Sequence, residues 1–321
     1  MDHLEILDRV GNIRVLVVGD MMLDHYRVGD ATRISPEAPV PVLLNPRSEY
    51  RLGGAAAVAA MCAVLGAETV IVGVLGPERS GERVQQMLTE LGVCCRAVVD
   101  PDRVTTTKER ICGVASGRHR QQLGRVDSET TSPLRDDLSQ RLAEVISATA
   151  GDPPNVILVA DYAKGVMTAA VARACQDTGA LVIVDPPRNG HWEKYAHVGC
   201  IIPNREEAAG RTAAEIQTEL NSLVAVVKLD QEGCELFEIH GELHRIRAKP
   251  RFVHDVTGAG DQFLAVLGCI VAAGGGWQVA AEIATVAAGL QVERHGCVPV
   301  TPQDIKNEVY GDLSRQSVVA F

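Results

Sequence analysis

Short, wholly apolar runs rich in β-branched residues alternate with longer helix-like segments along most of this chain. These runs occupy residues 15–18, 70–72, 156–159, 181–184, 200–202 and 224–227. A run that is apolar at every position is typical of a strand buried on both faces, and helical segments between such strands favour parallel pairing. The pattern therefore predicts an α/β fold with three α/β/α layers and a mostly parallel sheet.

Polar residues follow four of these predicted strands. They are Asp20, Asp161, Asp185 and Asn204. In open α/β sheets, ligands bind beyond the carboxyl ends of the strands. Any one of these residues is equally explained as a helix cap or a loop residue, but together they predict a binding site at this edge.

Two stretches break the alternation and contain short extended segments with polar interruptions, at about residues 25–50 and 95–127. We expect them to form a small β-sheet apart from the main layer, as a lid or an oligomer contact. Such a sheet has edges and an apolar face that need cover. Because no long linker separates these stretches, we expect residues 1–321 to form a single domain with the lid strands inserted.

The charge and cysteine content exclude several classes of protein. The chain has 321 residues and a formal net charge of -10, which argues against nucleic acid as a partner. Its nine cysteines have no metal-binding spacing, which indicates reduced thiols in a cytoplasmic protein. The first residues lack the pattern of a signal peptide, and no uninterrupted apolar run reaches about 18 residues, so we expect no membrane span.

The segment 254–261 reads His-Asp-Val-Thr-Gly-Ala-Gly-Asp and leads directly into the apolar run 263–267. Two glycines permit a tight turn, and the free N–H groups of the helix that follows attract an anion. Asp261 then lies in the first helical turn beside that anion. It is either an ordinary helix cap or a base that removes a proton from an attacking hydroxyl.

A second glycine pair, Gly53 and Gly54, precedes the alanine-rich segment 55–65. The pair is explained either by a tight turn with close helix packing or by close approach of the backbone to a polar ligand. The sequence contains neither a G-x-x-x-x-G-K-[ST] loop nor a G-x-G-x-x-G fingerprint, which argues against a P-loop protein and a dinucleotide enzyme.

Taken in order, these motifs resemble those of the ribokinase-like (PfkB-type) sugar kinases over about residues 13–300. The residues that carry the resemblance are Asp20, Asp24, Gly53, Gly54, Asn204 with Glu207, and the segment 258–261. The resemblance implies a ribokinase-like fold with a small β-sheet lid, and an enzyme that transfers a phosphoryl group to an alcohol. It also implies ATP and Mg²⁺ as cofactors and a sugar or sugar phosphate as the acceptor. Because lid strands commonly pair in this family, it further implies a homodimer through the lid, which fits a small sheet whose edges and apolar face need cover.

The same resemblance implies a role for each site residue. Asp261 is the catalytic base, and the N–H groups of Gly258, Ala259 and Gly260 hold the charge that develops on the γ-phosphoryl group. The predicted substrate-binding residues are Asp20, Asp24, Gly53, Gly54, Arg33, Lys164 and Asp161. The predicted ATP-binding residues are Asn204, Glu207, Lys228, Asp255, Thr257, Gly258 and Gly260. Asn204 and Glu207 are also expected to hold Mg²⁺ through water.

Four longer segments resemble one group within the family, the D-glycero-D-manno-heptose 7-phosphate kinases of lipopolysaccharide precursor synthesis. These segments are 19–24, 33–42, 121–127 and 161–166. They imply phosphorylation of the heptose at O1, with Arg33 and Lys164 either binding the acceptor phosphate or lying as solvated surface charges. We expect the kinase part alone, without the fused nucleotidylyltransferase domain that some heptose enzymes carry.

Three positions depart from the family pattern. Ala57 stands where the family usually has Asn, Pro187 where heptose kinases usually have Lys, and Lys228 where the family usually has Thr. A lost hydrogen bond at Ala57 changes the preference among sugars by roughly 1–3 kcal/mol. Arg188 replaces the missing charge with a different geometry, and Lys228 either contacts the nucleotide or faces the surface. The alternatives are a kinase for another sugar, sugar phosphate or nucleoside, and a non-catalytic sugar- or nucleotide-binding relative.

Overall fold

A computed structural model describes residues 3–114, 120–188 and 191–309. In chain order the strands are β1 (Arg14–Gly19), β2 (Met21–Ile34), β3 (Pro41–Gly54), β4 (Glu68–Leu75), β5 (Cys94–Val99), β6 (Thr106–Val114), β7 (Gln121–Ser128), β8 (Val156–Ala160), β9 (Leu181–Asp185), β10 (Cys200–Ile201), β11 (Val224–Lys228), β12 (Cys234–Glu238) and β13 (Leu243–Ile246). The α-helices are α1 (His3–Arg9), α2 (Ala55–Val64), α3 (Arg79–Glu90), α4 (Asp136–Thr149), α5 (Ala169–Asp177), α6 (Arg205–Ala208), α7 (Ala213–Leu220), α8 (Ala259–Ala272) and α9 (Trp277–Gln291), followed by a helix over 302–309.

Most of these strands form one large, mostly parallel sheet. Its order is β13-β12-β11-β10-β9-β8-β1-β4-β5. Every neighbouring pair from β11 to β5 is parallel, and the hairpin formed by β12 and β13 adds an antiparallel edge. The carboxyl ends of β1, β8, β9 and β10 therefore lie side by side at one edge of the sheet.

Two separate apolar cores cover the two faces of this sheet. In β1, Val15 and Val17 pack into the core that contains α2, α8 and α9. Leu16 and Val18 point to the opposite face and pack into the core that contains α4, α5 and α7. This strict alternation explains why the buried strands are apolar at every position.

None of the helices within the described ranges is both long and apolar enough to cross a bilayer.

The second sheet is the lid, with the strand order β3-β2-β6-β7. Only Asp20 separates the end of β1 from the start of β2, so the lid begins directly at the carboxyl edge of the large sheet. β2 pairs in parallel with β6, whereas the other two pairs are antiparallel. The expected lid segment 95–127 needs one correction, because β5 lies in the large sheet beside β4. The single-domain organisation of residues 1–321 stays a prediction.

Candidate active site

The four polar residues at the strand ends lie together, as the sequence indicates. The backbone N–H of Asp20 donates to Ala160 O at 3.1 Å, and that of Asp161 donates to Asp185 O at 3.1 Å. Asn204 follows β10 and forms an isolated parallel bridge with Lys228. A row of carboxylate and amide side chains therefore lines one edge of the sheet.

Helix α8 begins next to this row, directly after Gly258 in the segment 254–261. Gly258 has φ 83°, and a Cβ at this position would lie 2.3 Å from Cys297 Sγ, so the turn requires glycine. Asp261 is buried in the first turn of α8. It accepts a hydrogen bond from Tyr162 Oη, and Cys297 Sγ lies 3.8 Å from its Oδ2. Its partners come from outside the helix, unlike those of an ordinary capping carboxylate.

The environment of Asp261 changes its proton affinity. Burial raises the pKa of Asp261 to about 6, while the hydrogen bond from Tyr162 and the positive charge of Lys228 act in the opposite direction. A carboxylate with this pKa is ionised at neutral pH and is a stronger base than an exposed aspartate. These are the properties that the predicted catalytic base needs.

Lys228, at the end of β11, points into this site. Its Nζ lies 2.7 Å and 2.8 Å from the two carboxylate oxygens of Asp185, and the two side chains are only 14% and 12% exposed. A Cβ placed on Gly260 would lie 3.5 Å from Lys228 Nζ. The ammonium group therefore lies half-buried beside the start of α8, which fits a residue of the site better than a surface-facing one.

Asn204 and Glu207 bind each other at the start of α6. Asn204 Oδ1 accepts from the Glu207 N–H at 2.9 Å, and Glu207 Oε2 accepts from the Asn204 N–H at 2.7 Å. This is a capping box, in which two free N–H groups of the helix start are satisfied reciprocally. Burial and the neighbouring charge of Asp185 raise the pKa of Glu207.

Asp20 and Asp161 have different surroundings from those expected of sugar ligands. Asp20 is 1% exposed, and its carboxylate accepts from the N–H groups of Tyr162, Lys164 and Val166 at 2.7, 3.2 and 3.3 Å. Asp161 is buried as well and bonds within the protein. The predicted contacts of these two residues with a sugar would compete with bonds that hold the loop after β8.

The inner face of the lid supplies the other predicted acceptor residues. Asp24 is buried and paired with Arg110, and a Cβ on Gly53 would lie 3.4 Å from Asp24 Oδ2. The absence of a side chain at Gly53 therefore leaves space beside this carboxylate. Gly54 has φ 55°, and a Cβ there would lie 2.4 Å from Asp20 O, so the turn before α2 requires this glycine.

Arg33 and Lys164 do not converge on Asp24. Arg33 is exposed near the far end of β2, nine residues beyond Asp24, which corresponds to roughly 30 Å of strand. Lys164 Nζ forms an ion pair with Glu129 at 2.7 Å. The length of β2 therefore separates Arg33 from Lys164, and their assignment to the acceptor phosphate stays a prediction beside the alternative of surface charges.

The loop before α8 holds the remaining predicted nucleotide residues. Asp255 accepts from the N–H groups of Thr257 and Gly296, each at 2.9 Å. Burial opposes ionisation of Asp255, but these bonds keep its pKa below the usual value. Asp255 and Thr257 therefore shape the turn that leads to Gly258.

Arg188 pairs with Glu206 at 2.6 Å, and both side chains are exposed.

Sequence reasoning missed several residues that complete the site. Lys108 stands opposite Asp24 in the parallel pairing of β2 with β6, and its Nζ lies 6.0 Å from the centroid of the Tyr162 ring. The alternation of side chains along a strand places Lys108 and Arg110 on one face of the lid. That pattern in the Thr-Lys-Glu-Arg run was the available signal, whereas nothing local in the sequence pointed to Cys297.

Comparison with known proteins decides the family. Residues 12–304 match the model of the pfkB family carbohydrate kinases. The chain belongs to this family. Family membership confirms the predicted class, a carbohydrate kinase that acts as a phosphotransferase.

Relatives of this pfkB-family chain include proteins named Bifunctional protein HldE. The protein of Geobacter sulfurreducens is 38% identical over 313 residues, which cover 92% of this chain and 62% of the relative. That of Desulfatibacillum aliphaticivorans is 34% identical over 314 residues, covering 92% of this chain and 63% of the relative. The chain thus spans slightly less than two thirds of the length of these relatives.

Solved structures show the same fold at lower identity. The tetrameric inhibited form of phosphofructokinase-2 from Escherichia coli matches with a TM-score of 0.75 and 17% identity, over 94% of this chain and 99% of that one. Ribokinase from Arabidopsis thaliana, complexed with ribose and ATP, matches with a TM-score of 0.67 and 21% identity, over 92% and 98%. The predicted ribokinase-like fold of this pfkB-family chain is confirmed.

Proposed function

We propose that the chain transfers the γ-phosphoryl group of ATP to a sugar hydroxyl, with O1 of D-glycero-D-manno-heptose 7-phosphate as the acceptor. One observation carries the proposal. The buried carboxylate of Asp261, with a pKa raised to about 6, lies in the first turn of α8, next to the anion-attracting helix start and the ammonium group of Lys228. A base and an anion site in contact are what phosphoryl transfer to a hydroxyl requires.

The protein groups divide the reaction between them. Asp261 accepts the proton of the attacking hydroxyl, which increases its nucleophilicity. The N–H groups of the segment 258–260 bind the γ-phosphoryl oxygens and stabilise the charge that builds up on them, although that of Ala259 must first give up its bond to Val256 O at 3.3 Å. Lys228 adds a positive charge on the same side, since its Nζ lies close to Gly260.

The residues beside Lys228 fit Mg²⁺. The carboxylates of Glu207 and Asp185 lie close together, and burial together with the Asp185 charge raises the pKa of Glu207. A divalent cation would offset the repulsion between these two negative charges. Oxygen ligands and retained water are what Mg²⁺ prefers. Because Glu207 Oε2 and Asn204 Oδ1 bond to each other's backbone, contacts of Asn204 and Glu207 through water fit best. When bound, the ion would neutralise charge on the ATP phosphates.

The heptose acceptor rests on resemblance. The segments 33–42 and 161–166 resemble those of heptose 7-phosphate kinases, and the two HldE relatives described above share 34% and 38% identity with this chain. Lys108 and Arg110 on the inner face of the lid supply positive charge near Asp24, which suits an acceptor that carries a phosphate.

One observation favours a different sugar of the same class. Ala57 is 2% exposed and belongs to the apolar core beneath the glycine turn. Its methyl group cannot hold a sugar hydroxyl, as the family's usual Asn does. A kinase that accepts another sugar, sugar phosphate or nucleoside is therefore the second candidate.

A panel of acceptors tests the proposal. ADP release would be measured with ATP–Mg²⁺ and heptose 7-phosphate, other sugar phosphates, free sugars and nucleosides, with the Asp261→Asn variant as the background control. We expect the highest kcat/KM with heptose 7-phosphate and a phosphate ester on O1 by ³¹P NMR. Turnover of only unphosphorylated acceptors would overturn the heptose assignment. No turnover with any acceptor, despite thermal stabilisation by ATP–Mg²⁺, would instead indicate a non-catalytic relative.

We also propose that two chains pair through their lids. Several large apolar side chains of the lid are exposed, namely Ile34, Val40, Leu123 and Val126. Light scattering after size exclusion should give a dimer, and Ile34→Asp combined with Val126→Asp should give a monomer. The matched control is Val99→Asp, because Val99 is an exposed valine on β5 of the large sheet. A monomeric wild-type chain, or a dimer that survives both lid substitutions, would contradict the proposal.

A further inference from the structure

Tyr162 connects the lid side of the site with the proposed base. Its hydroxyl donates to Asp261 Oδ1 across 99 residues of sequence, and its ring packs against the core on the α8 side of the sheet. Lys108 of the lid lies over the same ring, 6.0 Å from its centroid. The phenol therefore lies between a lid cation and the carboxylate on α8.

The loop that carries Tyr162 is fixed by buried carboxylates. Asp20 accepts from the backbone N–H of Tyr162 at 2.7 Å, and Asp161 Oδ1 accepts from that of Ala163 at 2.9 Å. Ala163 has φ 55°, a left-handed conformation that a residue with a side chain rarely adopts without support. The backbone of the loop is thus in an unfavourable conformation at Ala163, and the hydrogen bonds to Asp20 and Asp161 stabilise that conformation.

The side chain of Asp161 is fixed by two further residues, Tyr195 and Lys194. Tyr195 Oη donates to its Oδ2 at 2.6 Å, and Lys194 Nζ lies 2.8 Å from the same oxygen. These contacts leave Asp161 and the loop little freedom to move. Tyr162 is therefore presented to Asp261 by a chain of buried hydrogen bonds that begins on the far side of β8.

We propose that Tyr162 is a positioning residue for Asp261, holding Oδ1 so that Oδ2 is the oxygen that takes the acceptor proton. The proposal rests on the proposed function, in which Asp261 is the base. Among the residues that the structure describes, the donor to Oδ2 is the weak thiol of Cys297, at 3.8 Å, which a substrate hydroxyl can outcompete. The two oxygens of one carboxylate thus have separate tasks.

The hydrogen bond also sets the pH at which the base works. Other groups that act on Asp261 or are acted on by it are Asp24, Lys108, Asp185, Lys228 and Cys297. The Tyr162 bond stabilises the ionised form, so its loss raises the pKa of Asp261. A base works only when deprotonated, so activity falls as the pH drops through that pKa. The acid limb of the pH profile must then move to higher pH.

Tyr162→Phe tests this assignment, since it removes one oxygen and keeps the ring. We expect the acid limb of kcat/KM to move up by about one pH unit and kcat to fall by about tenfold, with KM for ATP unchanged. The matched control is Tyr195→Phe, which removes a buried tyrosine-to-aspartate bond one step further away. Because Lys194 Nζ still holds the same oxygen of Asp161, this variant should lower the melting temperature but leave Tyr162 and the acid limb in place. A lower kcat without a shifted limb in Tyr162→Phe would reduce Tyr162 to a packing role and overturn the proposal.

A measurement without turnover separates this proposal from the proposed function. In protein labelled with ¹³C at the aspartate carboxyl, the Asp261 signal is identified by its loss in Asp261→Asn, and its titration is followed by NMR. We expect a midpoint near 6 in the wild type and a higher midpoint in Tyr162→Phe. Equal midpoints would refute the role of Tyr162, whatever the acceptor panel shows. Shifted midpoints in a chain without kinase activity would support the bond and count against the function.

Discussion

Asp261→Asn should lower kcat by about a thousandfold while leaving ATP–Mg²⁺ and acceptor binding within a few-fold of the wild type. Asparagine has nearly the same shape as aspartate, but its amide cannot accept the hydroxyl proton. The variant still presents an oxygen to Tyr162, and the N–H groups of α8 remain in place. Single-turnover kinetics would measure the chemical step, and calorimetry would measure binding of each substrate.

The comparison with Asp255→Asn makes this test specific. Asp255 lies six residues earlier in the same segment, but its carboxylate bonds to the backbone of Thr257 and Gly296. Its loss should disturb the loop and weaken nucleotide binding, with a smaller effect on the chemical step. Near wild-type turnover in Asp261→Asn would refute the base assignment, and equal losses of kcat in both variants would mean that the segment acts only through its shape.

Lys228→Met should have the largest effect on stability. It leaves the buried carboxylate of Asp185 without its cation, which typically costs about 3 kcal/mol or more of the free energy of unfolding. Burial already raises the pKa of Asp185 despite the neighbouring Lys228 charge. Without that charge, Asp185 takes up a proton more readily, so the destabilisation should be smaller at pH 5 than at pH 8. Urea denaturation at both pH values measures this difference.

Two controls distinguish the structural role of Lys228 from its role in binding. The double variant Asp185→Asn with Lys228→Met removes both charges and should recover much of the lost stability, yet its affinity for ATP should remain at least tenfold weaker. Arg188→Ala breaks an exposed ion pair with Glu206 and should cost less than about 1 kcal/mol. Full ATP affinity in the double variant would show that Lys228 does not contact the nucleotide.

The layers of the fold were predictable because they follow from local pattern. In a strand such as β1, Val15 and Val17 pack into one core and Leu16 and Val18 into the other. Apolar residues at every position therefore already imply a sheet that is covered on both faces. The extent of the lid was harder to predict. β5 alternates exposed and half-buried residues over much of its length because it is the edge strand of the large sheet, and this pattern resembles a lid strand.

The position of the site at the carboxyl edge of the large sheet was predictable, but its individual contacts were not. A strand-end aspartate has the same local sequence whether it faces a ligand or a backbone loop, and the partners of Asp20 lie 142 to 146 residues away. Tyr162 and Cys297 contact Asp261, and Lys108 lies over the Tyr162 ring, although the three come from separate parts of the chain. Only the folded arrangement reveals such a cluster, because no spacing in the sequence encodes it.

The most direct test of the central claim is a crystal structure with a non-hydrolysable ATP analogue, Mg²⁺ and heptose 7-phosphate. The acceptor O1 should lie roughly 2.6–3.2 Å from a carboxylate oxygen of Asp261, in line with the γ-phosphorus. The γ-phosphate should contact the N–H groups of the segment 258–260. An acceptor bound away from Asp261, or a γ-phosphate held elsewhere than at the start of α8, would contradict the claim that this segment is the phosphoryl-transfer centre.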